Sequence, residues 1–115
     1  MVNSDATIFD QLMSVIEDRK ANPPQRSYTT RLFQGGVEAI GQKVTEEAAE
    51  VVAAAHAADN DAGRDHLAHE AADLIYHLFV MLGYRDVSLA DVEGKIAARF
   101  GVSGLDEKAS RSKNQ

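Results

Sequence analysis

The chain has 115 residues, is 44% hydrophobic, contains no cysteine and carries a formal net charge of −6. That length suits one domain, residues 1–115, with a modest core at about 7–100 and a polar C-terminal tail at 101–115. The missing cysteines exclude disulfides, thiolate zinc sites and a cysteine nucleophile, and the acidic balance argues against nucleic acid as a partner, since a phosphate-backbone binder needs a basic face.

Residues 1–10 lack a basic segment followed by an apolar run, so no signal peptide is expected. The first helix is expected at about 7–20, with Ile8, Leu12, Val15 and Ile16 on one face. Asn22-Pro23-Pro24 stops it, because proline disfavours the helical conformation at the preceding residue and breaks the hydrogen-bond ladder. Ser27 is placed to cap a short second helix running through Phe33, after which Gly35 and Gly36 permit a turn.

The third helix is expected at about 37–58, with an apolar stripe of Val37, Ile40, Val44, Ala48, Val51 and Ala55. Lys43, Glu46, Glu47 and Glu50 fill an adjacent arc about 100° wide, and Glu47 lies nearest the apolar stripe. Residues 59–63 form the next turn. The fourth helix is expected at about 65–83, with Leu67, Ala71, Leu74, Ile75, Leu78 and Leu82 as its apolar face and Phe79 and Val80 outside it. A helix apolar over so much of its surface is buried on more than one side, which points to a central helix or a subunit interface. Its longest apolar run, residues 74–82, is interrupted by His77 and is too short to span a bilayer, so no membrane partner is expected and the default location is the cytoplasm. Ser88, with Asp91 three residues later, resembles a capping box for a fifth helix through Phe100, ended by Gly101. No segment alternates with period two, so the class is all-α, a bundle of four to five helices.

Two acid clusters carry the chemistry: Glu46-Glu47-x-x-Glu50 and Glu70-x-x-Asp73. Residues three or four apart share a helical face, about 5–6 Å between Cβ atoms, so each cluster points its acids one way. On spacing alone the first cluster is more often a solvated face. The second is less ordinary, because its helix is otherwise apolar. Grouped carboxylates beside a core repel one another and are costly to desolvate, and a cation would remove that conflict. Mg²⁺ takes one or two carboxylates plus substrate phosphates, so two facing clusters would make such a site. Lys43 reads either as a surface ion-pair partner or as a phosphate ligand beside the metal. His66 and His69 lack a third nitrogen or sulfur ligand nearby, which makes zinc a weak reading. His77 shares the acidic edge and is read first as a core histidine and second as a group behind the acids.

The acid pattern resembles the all-α, MazG-like nucleoside triphosphate pyrophosphohydrolase superfamily. Within it the chain resembles the phosphoribosyl-ATP pyrophosphohydrolase family of histidine biosynthesis. Ser27-Tyr28-Thr29, KVTEEAAE at 43–50, HEAADLIYHLFVML at 69–82 and SGLDEKASR at 103–111 carry the likeness. The resemblance implies Mg-dependent hydrolysis of phosphoribosyl-ATP to phosphoribosyl-AMP and pyrophosphate, with Mn²⁺ as a possible substitute. It implies Glu47, Glu50, Glu70 and Asp73 as metal ligands, and Glu46 as a further ligand or the group that orients or deprotonates water. Glu46 and Glu47 are the candidate catalytic acids; Lys43, Ser27, Tyr28 and Thr29 are the candidate substrate contacts. The expected partners are a small nucleotide and a second copy of the chain, in a homodimer or a dimer-based oligomer. Two alternatives stand beside this reading: a housekeeping pyrophosphohydrolase acting on ordinary nucleotides, and a helical interaction module with no activity.

Overall fold

The computed structural model describes residues 6–100; the expected helix end at Gly101, the polar tail and the likeness at 103–111 lie outside the described residues. Four helices follow in order: α1 (Ile8–Ala21), α2 (Tyr28–His56), α3 (Asp61–Tyr84) and α4 (Leu89–Ala97). No strand occurs among the described residues, in keeping with the all-α expectation.

Local chemistry starts each helix. Thr7 and Asp10 form a capping box: the Asp10 amide donates to the Thr7 hydroxyl at 3.1 Å and the Thr7 amide to the Asp10 carboxylate at 2.9 Å. Ser27 accepts from the Thr30 amide at 3.3 Å and Ser88 from the Asp91 amide at 3.0 Å, so both expected caps are present. Asn60 accepts from the Gly63 amide at 2.7 Å. That cap turns the expected loop residues Asp61, Ala62 and Gly63 into the first turn of α3, which therefore starts four residues before the expected position. α4 stops at Ala97, short of the expected Phe100.

The expected break at Gly35-Gly36 is a kink rather than a turn. α2 runs through it, and Gly36 alone departs from helical geometry, at φ 68° and ψ −160°. Only glycine occupies that region without strain. The kink divides α2 into a first section with Tyr28, Thr29 and Thr30 and a second with Lys43 and the first acid cluster.

α2 and α3 are joined by residues 57–60 and pack along each other, and α1 lies across α3 and the start of α2. The buried core is Met13, Ile16, Leu32, Ile40, Phe79 and Val80. This corrects two expectations. Phe79 and Val80, expected outside the apolar face of their helix, are buried at 7% and 0% exposure, whereas Leu78 is 42% exposed. On α1, Ile8 and Val15 are exposed and Met13 joins Ile16 inside. Both shifts have one cause: α1 docks on α3 through Met13 and Ile16, and that contact selects the Phe79–Val80 side of a helix with apolar residues nearly all round. Val37 of the expected α2 stripe is also exposed, while Ile40 is fully buried.

A lysine closes the α1–α3 corner. Lys20 Nζ donates to the Gly83 and Tyr84 carbonyls at 3.0 and 2.9 Å and to the Asp86 carboxylate at 2.8 Å. The last carbonyls of a helix lack partners in their own ladder and carry partial negative charge, so a cation there satisfies both needs. No described helix is long and apolar enough to cross a membrane.

Candidate active site

Packing of α2 on α3 brings the two acid clusters together. Oxygens of Glu47, Glu50 and Glu70 lie within 4.8 Å of one another, and so do ligand atoms of His69, Glu70 and Asp73. Glu70 belongs to both groups, so four expected metal ligands form one continuous patch. Glu47 and Glu70 are buried, at 7% and 9% exposure, while Glu50 is exposed and Asp73 half-buried.

The electrostatics follow from this crowding. Burial pushes the Glu47 carboxyl above the usual carboxylate range, and a hydrogen bond with Glu50 and the charges of Glu50 and Asp73 push it further. The Glu70 carboxyl is raised first by its hydrogen bond with Glu50, then by burial and by the Glu50 charge, with His66 in opposition. Glu47 Oε2 and Glu70 Oε2 are buried without a hydrogen-bond partner. Unsatisfied buried carboxylate oxygens are unfavourable unless something positive meets them. A donor set of hard oxygens, with two of them unsatisfied, fits a divalent cation of the Mg²⁺ or Mn²⁺ kind.

Glu46 stands apart. It belongs to neither group; its carboxylate accepts from Gln42 Nε2 at 3.2 Å and from Lys43 Nζ at 3.3 Å. Lys43 Nζ also lies 3.9 Å from Glu47 Oε1, so it bridges the exposed acid and the buried one. The hydrogen bond to Glu46 holds the Lys43 pKa above its ordinary value, which keeps the ammonium charged.

The three candidate substrate contacts at the start of α2 fare differently. Ser27 is half-buried and its hydroxyl is spent on the helix cap. Thr29 is buried and hydrogen-bonded to the Tyr76 hydroxyl. Tyr28 is 44% exposed, and its hydroxyl lies 2.8 Å from His77 Nε2. The Tyr76 link had no signal in the sequence, since it joins positions 47 residues apart. The two surface histidines did have one. His66 lies 3.6 Å from Glu70 and His69 3.5 Å from Asp73, each pair four residues apart on α3. A shallow groove of about 440 Å³, lined by Ala53, Ala54, Ala57 and His66, opens beside Glu50 and Glu70.

An all-helical domain with acids from two packed helices and an adjacent lysine is the arrangement of an all-α pyrophosphohydrolase. The sequence profile of the phosphoribosyl-ATP pyrophosphohydrolase family matches residues 9–100. A phosphoribosyl-ATP pyrophosphatase of Rhodopirellula baltica is 50% identical over 103 residues, covering 90% of this chain and 85% of the relative. One from a Jannaschia species is 46% identical over 105 residues, covering 91% and 99%. A third, from Burkholderia ambifaria, is 41% identical over 115 residues, covering 100% and 95%. The chain belongs to the phosphoribosyl-ATP pyrophosphohydrolase family.

Proposed function

We propose that this chain hydrolyses the α–β phosphoanhydride of phosphoribosyl-ATP, releasing phosphoribosyl-AMP and pyrophosphate, as the second step of histidine biosynthesis. The observation that carries the reading, within a chain of this family, is the meeting of Glu47, Glu50 and Glu70 around two unsatisfied buried carboxylate oxygens. Glu47, Glu50, Glu70 and Asp73 would hold Mg²⁺, with Mn²⁺ as a substitute. When bound, such an ion neutralises polyphosphate charge and makes water a better nucleophile. Lys43 sits at the edge of the acids as a flexible point charge, suited to a phosphate oxygen. Glu46 is exposed enough to orient or deprotonate the attacking water, and Glu47 is the other candidate for that role.

The reading includes a cytoplasmic location and assembly into a homodimer or a dimer-based oligomer. Support for assembly comes from Val52 and Leu78, which leave apolar surface exposed at 59% and 42% on the two central helices.

The test is pyrophosphate release from phosphoribosyl-ATP, ATP and dUTP, each with Mg²⁺ and with excess chelator. Phosphoribosyl-ATP is expected to be turned over far faster than the others, and chelator to abolish turnover. Equal or faster release from a common nucleotide would instead make the chain a housekeeping pyrophosphohydrolase. No release from any nucleotide would leave an interaction module. Unchanged rates in chelator would overturn the metal site.

A further inference from the structure

His77 takes no part in either acid group, yet it is 6% exposed and both of its ring nitrogens are engaged. Nδ1 lies 2.8 Å from the backbone carbonyl oxygen of Asp73. A carbonyl only accepts, so Nδ1 carries the hydrogen, and in the neutral ring Nε2 is left as an acceptor. The Tyr28 hydroxyl, 2.8 Å away, donates to it. The backbone of α3 at a candidate metal ligand thereby fixes the orientation of the imidazole, and the imidazole fixes the polar end of Tyr28.

Tyr28 is held from other sides as well. Its ring stacks on Tyr76 at 6.3 Å between centroids and 22° between planes, and meets the His77 ring edge-on at 5.8 Å and 88°. Tyr76 in turn is tied to the Thr29 hydroxyl. A side chain fastened this way and still 44% exposed is an aromatic surface presented to solvent in a set orientation. It stands beside the acids: after burial, the groups that act on the Tyr28 hydroxyl are Lys43, Tyr76, Glu47 and Glu46. Aromatic side chains are stacking surfaces for nucleotide bases, and an ordered one loses less conformational freedom when a ligand arrives.

We propose that His77 is a positioning residue for substrate binding: by accepting the Tyr28 hydroxyl it holds that ring at the margin of the acid site, where the nucleotide base packs on it. The proposal deepens the pyrophosphohydrolase reading and rests on it. It assigns His77 no proton transfer and no contact with the metal.

Steady-state kinetics on His77→Leu, His77→Gln, Tyr28→Phe and the double variant His77→Leu/Tyr28→Phe test it, with Mn²⁺ titrated calorimetrically into each. Tyr28→Phe and His77→Leu are each expected to raise KM about three- to tenfold, the scale of one net hydrogen bond, with kcat changed less than about twofold. The double variant should be no worse than the poorer single one, because both remove the same bond. His77→Gln, whose amide oxygen is available to the hydroxyl, should recover most of the lost KM. Mn²⁺ affinity should stay within about twofold of wild type throughout, because both His77 nitrogens and the Tyr28 hydroxyl are engaged with a backbone carbonyl and with each other, and none is bonded to a carboxylate oxygen of the acids. Additive losses, a fall in kcat at constant KM, or weakened Mn²⁺ binding would overturn the proposal. Should His77→Leu fail to fold, the exposed Tyr28→Phe decides alone, and a normal KM there overturns it. If the wild type prefers another nucleotide, the function reading falls, and the same KM comparison on that nucleotide still decides the role of His77.

Discussion

Two alanine substitutions five residues apart on α2 should have opposite signs. Gly36 has φ 68° and ψ −160°, and a Cβ built there meets the Tyr84 hydroxyl oxygen at 3.2 Å. Forcing an L-residue into that region costs about 1–3 kcal/mol, and the close oxygen adds to it. Gly41 lies in regular helix, and its Cβ would sit 3.7 Å from Met81 Cε, an ordinary contact. There alanine removes the entropy penalty of glycine, so Gly41→Ala should stabilise by up to about 1 kcal/mol. For a domain near 100 residues each kcal/mol moves Tm by about 4–8 °C, so Gly36→Ala should lower Tm by roughly 4–24 °C and Gly41→Ala should raise it by a few degrees. Thermal melts followed by circular dichroism in the helical band read both. Gly36→Ala should also weaken turnover more than Gly41→Ala does, because the kink sets Tyr28 against the acids. A Gly36→Ala protein as stable as wild type would mean that α2 is a continuous helix at that point.

Glu47→Gln keeps shape and removes charge; it should cut turnover by about 10²-fold or more, the scale of losing an important electrostatic group. In chelator the same variant should be more stable than wild type, by a margin that grows with pH. The folded state holds the Glu47 proton above the usual carboxylate range, so the stability this group contributes is complete in acid and is lost as pH rises through the raised folded value. Paired melts from acid to neutral pH check the sign, and a margin that shrinks with pH would refute it. Sedimentation at low micromolar concentration should show a dimer or larger species. Leu78→Glu should shift it to a folded monomer, whereas a charge at Phe79 or Val80 should unfold the chain, since both are core residues here; a wild-type monomer would remove the assembly reading.

Much of this was legible from short-range chemistry. Ser27 and Ser88 announced helix starts because a hydroxyl there reaches an amide three residues on. Asn22-Pro23-Pro24 announced the end of α1, and three- and four-residue spacing put the acids of each cluster on one face. Glu47 was also correctly placed next to the apolar stripe, and it is buried. The sequence did not reveal which side of α3 turns inward. That helix has apolar residues in nearly every direction, periodicity pointed to the Leu67–Leu82 face with Phe79 and Val80 outside it, and docking of Met13 and Ile16 settled it in favour of Phe79 and Val80. Nor did it show that Glu70 sits within 4.8 Å of Glu47 and Glu50, that Glu46 stands aside with Lys43, or that His77 reaches Tyr28. Each of these depends on how far one helix is rotated and slid along another. That offset is fixed by the sum of core contacts and by one unusual torsion at Gly36, and neither is written in the spacing of any single segment.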